Sequence, residues 1–159
     1  FGVPRPDEYA DADLAGPAMA VTAAASDADA VLLAVPYGAA KDVIDACGGL
    51  AGKIVIDATN PLGMTPEGLS LTTGFTTSGA EEIAAAAPDA KIVKCFNQTG
   101  FANMAAPAGS MMFVCGDDPE ANETVCKLAS EIGFDAITIG GLDKARLLDQ
   151  FTYITVTEN

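Results

Sequence analysis

Short apolar runs alternate with polar or glycine-rich segments along this chain, at the spacing of an α/β protein. Two of the runs, Val31–Val35 and Ile54–Ala58, end abruptly at a polar or Pro/Gly elbow. Short, nearly continuous apolar runs are typical of strands buried on both faces of a parallel sheet. We therefore predict parallel strands there, and a ligand crevice at their carboxyl ends.

The remaining segments predict a single domain, residues 1–159, in which one parallel-rich sheet carries helices on both faces. Further strands are predicted at Ala18–Thr22, Lys91–Phe96, Met111–Cys115 and Phe134–Ile139, and helices at Ala23–Asp29, Ala39–Ala46, Ser78–Ala87, from Asp117–Glu120 to Gly133, and at Asp143–Gln150. Residues 4–17, 61–77 and 97–108 are predicted as loops, because they are rich in Gly, Pro or polar residues. A weak turn of helix is an option within residues 4–17, and a helical turn is an option around Phe101–Met104.

Composition narrows the possible partners. The 159 residues include 22 acidic and 8 basic ones, for a net charge of -14. That is too little positive charge for a large nucleic-acid-binding face, so we expect no nucleic-acid partner and assign the acidity to solubility. No run approaches the length of a membrane span, and the first residues lack a signal-peptide pattern. We expect a cytoplasmic protein with no membrane partner.

The cysteines and the lack of histidine bear on metal binding. Cys47, Cys95, Cys115 and Cys126 show no Cys-x-x-Cys spacing, and the chain has no His. We expect reduced thiols, with Cys95 and Cys115 buried as small hydrophobic residues, and no metal site. A site of four thiolates stays open as an alternative.

Several charged residues are candidates for acid/base catalysis or metal binding, but helix capping explains the positions of most of them. Glu81 and Glu82 follow Ser78 at the spacing of a capping box. Asp117 and Asp118 are placed to cap the helix that follows them. Two residues stay open: Lys94 interrupts an apolar strand and either snorkels to the surface or reaches an anion, and Asp57 either caps backbone N–H groups or faces the crevice.

Taken in order, several segments resemble the coenzyme F-420-dependent NADP oxidoreductases, the deazaflavin-dependent NADP reductases. The matching segments are Asp27–Tyr37, Leu50–Gly63, Thr77–Ile83, Lys91–Thr99, Met112–Asp118 and Ala145–Leu148. The likeness covers nearly the whole chain, and it depends on the order of the motifs, because none is diagnostic alone. The resemblance implies a Rossmann-like, doubly wound fold that binds NADP(H), with coenzyme F-420 or a flavin as a possible second cofactor.

One family feature is missing from the start of the sequence. Family members begin with a strand and a Gly-rich turn that seats the NADP pyrophosphate, and no such segment precedes the matching residues. The first residues look like the end of the family's second strand. Arg5 is then the nearest match to the Arg that meets the 2′-phosphate of NADP, although Pro4 departs from the pattern. We therefore expect an N-terminally incomplete domain that lacks its first strand.

The resemblance assigns cofactor-binding roles to three elbows at strand ends. Ala34, Val35 and Pro36 resemble the strand end that lines the dinucleotide, and Thr59, Asn60 and Pro61 resemble the elbow near the nicotinamide. Asn97, Gln98 and Thr99 follow the third strand and face the same crevice mouth. A turn with no binding role is the alternative at each elbow. No catalytic side chain is expected, because the cofactors carry the hydride chemistry in this family.

The implied function is hydride transfer between NADP(H) and a deazaflavin or flavin-like acceptor. Two alternatives stay open: a flavin- or metal-linked NADPH reductase, and a non-catalytic Rossmann-like module for interaction or assembly. Without a first strand, Val31–Val35 becomes an exposed apolar edge. We therefore expect a homodimer, a swapped element, or an N-terminal segment that pairs into the gap.

Overall fold

The computed structural model describes residues 1–9, 13 and 16–157, apart from the side chains of residues 156 and 157. The strands are β1 (Ala30–Leu33), β2 (Ile54–Asp57), β3 (Leu62–Thr65), β4 (Gly68–Leu71), β5 (Lys91–Lys94), β6 (Met111–Gly116) and β7 (Asp135–Thr138). The helices are α1 (Val21–Ser26), α2 (Tyr37–Cys47), α3 (Gly79–Ala86), α4 (Phe101–Ala105), α5 (Pro119–Ile132) and α6 (Ala145–Thr157), with 3-10 turns at Pro6–Tyr9 and Leu142–Lys144.

One five-stranded sheet, in the order β1-β2-β5-β6-β7, forms the centre of the fold. The strands β1, β2 and β5 are parallel, and their carboxyl ends therefore lie at one edge of the sheet. β6 runs antiparallel to β5, and β7 runs parallel to β6. The predicted α/β fold with a mostly parallel, Rossmann-like sheet is confirmed.

Successive residues of the central strands face opposite sides of this sheet, and both sides are buried. Val55 and Ile92 pack in one core cluster with residues of α2, α3 and α6. Their neighbours Ile56 and Val93 pack in a second cluster with residues of α5. The predicted burial on both faces, with helices covering each, is thus confirmed for β2. It is wrong for β1, which lies at the edge of the sheet and exposes Ala30 and Leu32 on one face.

Three predicted segments differ from the structure. The predicted loop 61–77 contains an antiparallel hairpin, β3–β4, which turns at Pro66–Glu67 and which Thr65 Oγ1 closes by donating to Gly68 O at 3.0 Å. The strand predicted at Ala18–Thr22 is wrong, since Met19 alone forms a β-bridge, to Gly2, and α1 begins at Val21. The final helix is longer than predicted, because it extends to Thr157.

β1 is an edge strand, since it pairs with β2 alone among the described residues. Leu32 is 56% exposed there, which confirms the predicted exposed apolar edge. Residues 1–3 do not pair with it: Val3 N donates to Met19 O at 2.9 Å instead. No helix in the described part of the chain combines the length and the apolar character needed to span a bilayer.

Candidate functional site

The three elbows predicted from the sequence follow parallel neighbouring strands. Residues 34–36 follow β1, residues 59–61 lie just after β2, and residues 97–99 lie just after β5. Because the three strands are adjacent and parallel, the elbows line one edge of the sheet. Ligands of open α/β sheets bind at this edge.

Asp57 shapes the elbow after β2. Its Oδ1 accepts hydrogen bonds from Thr59 N at 2.8 Å and from Thr59 Oγ1 at 2.7 Å. A further turn follows, in which Leu62 N donates to Asn60 O at 2.8 Å. Asp57 thus caps a backbone N–H group. This is the first of the two roles that the sequence leaves open for Asp57.

Lys94 does not reach the surface; it is fully buried and binds anions. Its Nζ lies 2.8 Å from Asp57 Oδ2 and 3.2 Å from Asp149 Oδ1, and both carboxylates are also fully buried. The same Nζ donates to Thr59 O at 2.6 Å. The other oxygen of Asp149 accepts from Gly79 N, at the start of α3, at 3.0 Å. Burial raises the pKa of Asp149, which means that desolvation outweighs the attraction of Lys94 and the Gly79 N–H.

Asn97 joins two of the elbows to α6. Its Nδ2 lies 3.2 Å from Asn60 Oδ1 and 3.1 Å from Thr152 Oγ1. Beside these side chains lies a cleft of about 490 Å³, and its lining residues are Asn60, Asn97, Gln98, Thr99, Gly100, Thr152 and Thr155. The structure therefore brings four of the predicted site residues together at one cleft.

Two features fix the chain direction at the elbow after β5. Phe96 has a φ of 65°, a left-handed conformation that is costly for a residue with a side chain. Its ring packs against Phe134, with ring centroids 6.3 Å apart. Gln98 is bound to the backbone of Phe113 in β6 by two hydrogen bonds, since its Nε2 donates to Phe113 O at 2.9 Å and its Oε1 accepts from Phe113 N at 3.0 Å. The Gln98 amide is therefore largely committed to holding the fold.

The other predicted site residues lie outside that cleft. Ala34 and Pro36 are exposed and Val35 is half-buried, immediately before α2. Pro61, the last residue of the elbow after β2, is fully buried. Arg5 is an exposed side chain whose guanidinium lies 2.7 Å from Glu8. The described contacts of Arg5 do not connect it to the cleft.

Sequence reasoning missed the contribution of α6. Asp149 and Thr152 lie three residues apart on one face of that helix, both buried, and they contact Lys94 and Asn97. The available signal was the pair of polar residues among the apolar positions of the helix. Within the described residues, no group of three or more His, Cys, Asp and Glu side chains could hold a metal ion.

The capping box predicted at Ser78 is present and extends to α6. Glu81 N donates to Ser78 Oγ at 3.1 Å, and Arg146 Nε donates to Glu81 Oε2 at 2.8 Å. The hydrogen bonds from Arg146 and Ser78 lower the pKa of Glu81. The interpretation of Glu81 as a capping residue is thus confirmed, while Glu82 accepts a hydrogen bond from the Tyr37 hydroxyl.

The lowered pKa of Glu81 predicts a pH-dependent contribution to stability. We expect Glu81→Gln to lower the free energy of unfolding by about 1 kcal/mol at neutral pH. A lowered folded pKa means that this stabilisation is full above the ordinary glutamate pKa and is lost as the pH falls through the folded value. Urea unfolding of both proteins from neutral to acidic pH tests this. A difference that stayed constant as the pH fell would contradict it.

Comparisons with known proteins agree with this architecture. The family model described as NADP oxidoreductase, coenzyme F420-dependent, matches residues 7–61. The F420-dependent NADP reductase of Methanocaldococcus jannaschii is 30% identical over 143 residues, which is 86% of this chain and 64% of that protein. A crystal structure from Arthrobacter sp. FB24, assigned as an F420-dependent NADP reductase, is similar at a TM-score of 0.88 and 26% identity, covering 98% of this chain and 80% of that one.

The chain resembles the coenzyme F420-dependent NADP oxidoreductases along most of its length. The residues that the family model matches extend through the elbows after β1 and β2. Metalloreductase STEAP3 of Rattus norvegicus is also similar, at 36% identity over 100 residues, which is 61% of this chain and 19% of that protein. The chain spans only 19% of STEAP3 and 64% of the M. jannaschii reductase.

Proposed function

We propose that this chain is a member of the F420-dependent NADP oxidoreductase family and binds NADP(H) at the carboxyl edge of β1, β2 and β5. We further propose that it transfers hydride directly between the nicotinamide and a deazaflavin or flavin-like acceptor. The observation that carries the proposal is the cleft of about 490 Å³ beside Asn60 and Asn97, at the edge where open α/β sheets bind ligands. The likeness to an F420-dependent NADP reductase supports the choice of cofactor.

The amide groups at this cleft fit a nicotinamide carboxamide. Asn97 Oδ1 is buried and has no hydrogen-bond partner among the described residues. Asn60 uses its Oδ1 to accept from Asn97, and its Nδ2 has no partner in the described part of the chain. One unused acceptor and one unused donor are what a carboxamide, with its N–H₂ and C=O, requires.

In this proposal the chain positions the cofactors rather than supplying a reactive side chain. NADPH, when bound, supplies the hydride. Asn60 and Asn97 hold the carboxamide, while Ala34, Val35 and Pro36 line the path of the dinucleotide along the sheet edge. Thr99, at the mouth of the cleft, is itself oriented by Asn103 Nδ2, which donates to Thr99 Oγ1 at 2.7 Å.

Thermal-shift titration with NADPH and NADH, with the intact mass checked on the same sample, tests the binding proposal. A ligand that binds only the folded state raises the melting temperature with its concentration. We expect a clear shift with NADPH and a smaller one with NADH, followed by NADPH oxidation in the presence of F420. The absence of a shift at millimolar NADPH would contradict the proposal and favour the non-catalytic module.

Arg5 is the proposed source of the preference for the 2′-phosphate. Its only described ion pair, with Glu8, is exposed and therefore weak, so the guanidinium is available to a phosphate. We expect Arg5→Ala to weaken NADPH binding about tenfold and to leave NADH binding unchanged, in calorimetric titrations. Lys127→Ala is the matched control, because it removes the same charge from another exposed pair, Lys127–Glu131. Equal losses for NADPH and NADH would contradict the assignment.

A second candidate, a metal- or flavin-linked NADPH reductase, is favoured by the similarity to metalloreductase STEAP3. In that case the acceptor is a flavin or a metal ion acting as substrate. NADPH oxidation assays with F420, with FMN and FAD, and with ferric chelates distinguish the two candidates.

We also propose a homodimer, and sedimentation of a compact monomer would contradict it.

A further inference from the structure

A buried charged cluster lies directly beneath the proposed cofactor edge, and no reaction step described above uses it. It consists of Lys94, Asp57 and Asp149, all fully buried. Burying three charges costs desolvation free energy. Replacing such charges with hydrophobic residues of similar volume often leaves the stability of the folded protein unchanged or raises it. A cluster of this kind therefore calls for an explanation beyond stability.

The contacts of the cluster converge on one elbow. Lys94 Nζ donates to Thr59 O, and Asp57 Oδ1 accepts from Thr59 N and Thr59 Oγ1. Thr59 is therefore held through its carbonyl, its amide and its hydroxyl by two residues of the cluster. Asn60 follows directly and presents its amide to the cleft.

The same cluster connects that elbow to α3 and α6. Asp149 of α6 lies 3.2 Å from Lys94 Nζ and accepts from Gly79 N. One helical turn later on α6, Thr152 contacts Asn97 of the neighbouring elbow. Both elbows beside the cleft are thus tied to a single helix.

We propose that Lys94 is a positioning residue: its ammonium group, held by Asp57 and Asp149, fixes the Thr59 carbonyl and thereby sets the orientation of Asn60 for the nicotinamide. Lys94 is fully buried and does not line the cleft, so it acts through Thr59 and Asn60. This inference rests on the proposed function for its ligand, but its structural part, the fixed elbow, is independent of any ligand.

The test compares Lys94→Met with Val93→Ala. Val93 is the adjacent residue of β5, equally buried, and its side chain packs in the core cluster on the other face of the sheet. Both variants lose stability, but only Lys94→Met removes the hydrogen bond that Lys94 Nζ donates to Thr59 O. In Lys94→Met we expect hydrogen exchange of the Thr59 amide, relative to the amides of α5, to accelerate at least tenfold. We also expect the dissociation constant for NADPH to rise at least tenfold at equal folded fraction.

A purely structural role would give the two variants the same exchange rate of the Thr59 amide relative to the α5 amides, and the same dissociation constant for NADPH at equal folded fraction. That result would overturn the proposal. If Lys94→Met does not fold, the double variant Lys94→Met/Asp149→Asn removes one uncompensated carboxylate and takes its place. If the unmodified protein binds no NADPH, the proposed function fails. The exchange ratio of Thr59 then decides the positioning role by itself: acceleration supports it and an unchanged ratio overturns it.

Discussion

Asp149→Ala is expected to lower the free energy of unfolding by about 3–5 kcal/mol, the range found when one partner of a buried ion pair is removed. The variant leaves Lys94 with a single carboxylate and removes the acceptor of Gly79 N at the start of α3. Since the whole stability of a domain of this size is about 5–15 kcal/mol, this loss removes a large fraction of it. Urea denaturation monitored by circular dichroism measures it.

Two companion variants make this prediction specific. Asp143→Ala removes an exposed aspartate that pairs with Lys144, and it should change stability by less than about 0.5 kcal/mol. Asp149→Asn keeps an acceptor for Gly79 and should cost less than Asp149→Ala. Because burial raises the pKa of Asp149, the unmodified protein loses stability as the pH rises from the ordinary aspartate pKa to the raised value, whereas the Asn variant does not. A loss for Asp149→Ala no larger than that for Asp143→Ala would contradict the assigned role.

Gly116→Ala is expected to cost about 3 kcal/mol, at the upper end of overpacking substitutions in a dense interior. Gly116 lies opposite Val93 in the β5–β6 pair. A Cβ atom there would lie 2.6 Å from Ile92 O and 2.7 Å from Asn122 Oδ1. The backbone oxygen cannot move without breaking the pairing of the two strands, so the strain has no inexpensive release. A shift in the thermal unfolding midpoint measures the loss.

Gly38→Ala is the matched control for that substitution. Gly38 lies in the first turn of α2, and a Cβ atom there would meet nothing within 4 Å. Alanine has the higher helix propensity, so the variant should be as stable as the unmodified protein or more stable by about 0.5 kcal/mol. Similar losses for the two variants would show that contact with Ile92 O is not the cause.

The strands could be predicted from the sequence where burial dictates composition. β1 and β2 form at Val31–Val35 and Ile54–Ala58, which are apolar at nearly every position. For β2 the cause is that both faces of the sheet are covered. β1 is covered on one face only and exposes Leu32 on the other. The β3–β4 hairpin was missed because Gly, Pro, Thr and Ser interrupt its apolar residues and its strand residues are at most half-buried. Weak burial leaves a weak hydrophobic pattern, and turn residues then outweigh it.

The site was predictable only as far as its residues are local in sequence. The elbows at Asn60 and Asn97 follow apolar runs, so their position at the sheet edge could be predicted. The burial and ion pairing of Lys94 could not be predicted, because its partner Asp149 is 55 positions further along the chain and nothing in the local pattern connects the two. Thr152 lay beyond the predicted end of the last helix, although it contacts Asn97.

The dependence of both elbows on α6 has a consequence for synthesis of the protein on the ribosome. Lys94 and Asn97 leave the ribosome well before Asp149 and Thr152, the residues that pair with them. Until α6 docks, the ammonium group and the amide have no partner on that side, although the central strands can already form their sheet. Contacts at this sequence separation are late events in folding. The proposed cofactor edge is therefore completed only after α6 has been translated, and a chain cut short before Thr152 would form a sheet without a finished binding edge.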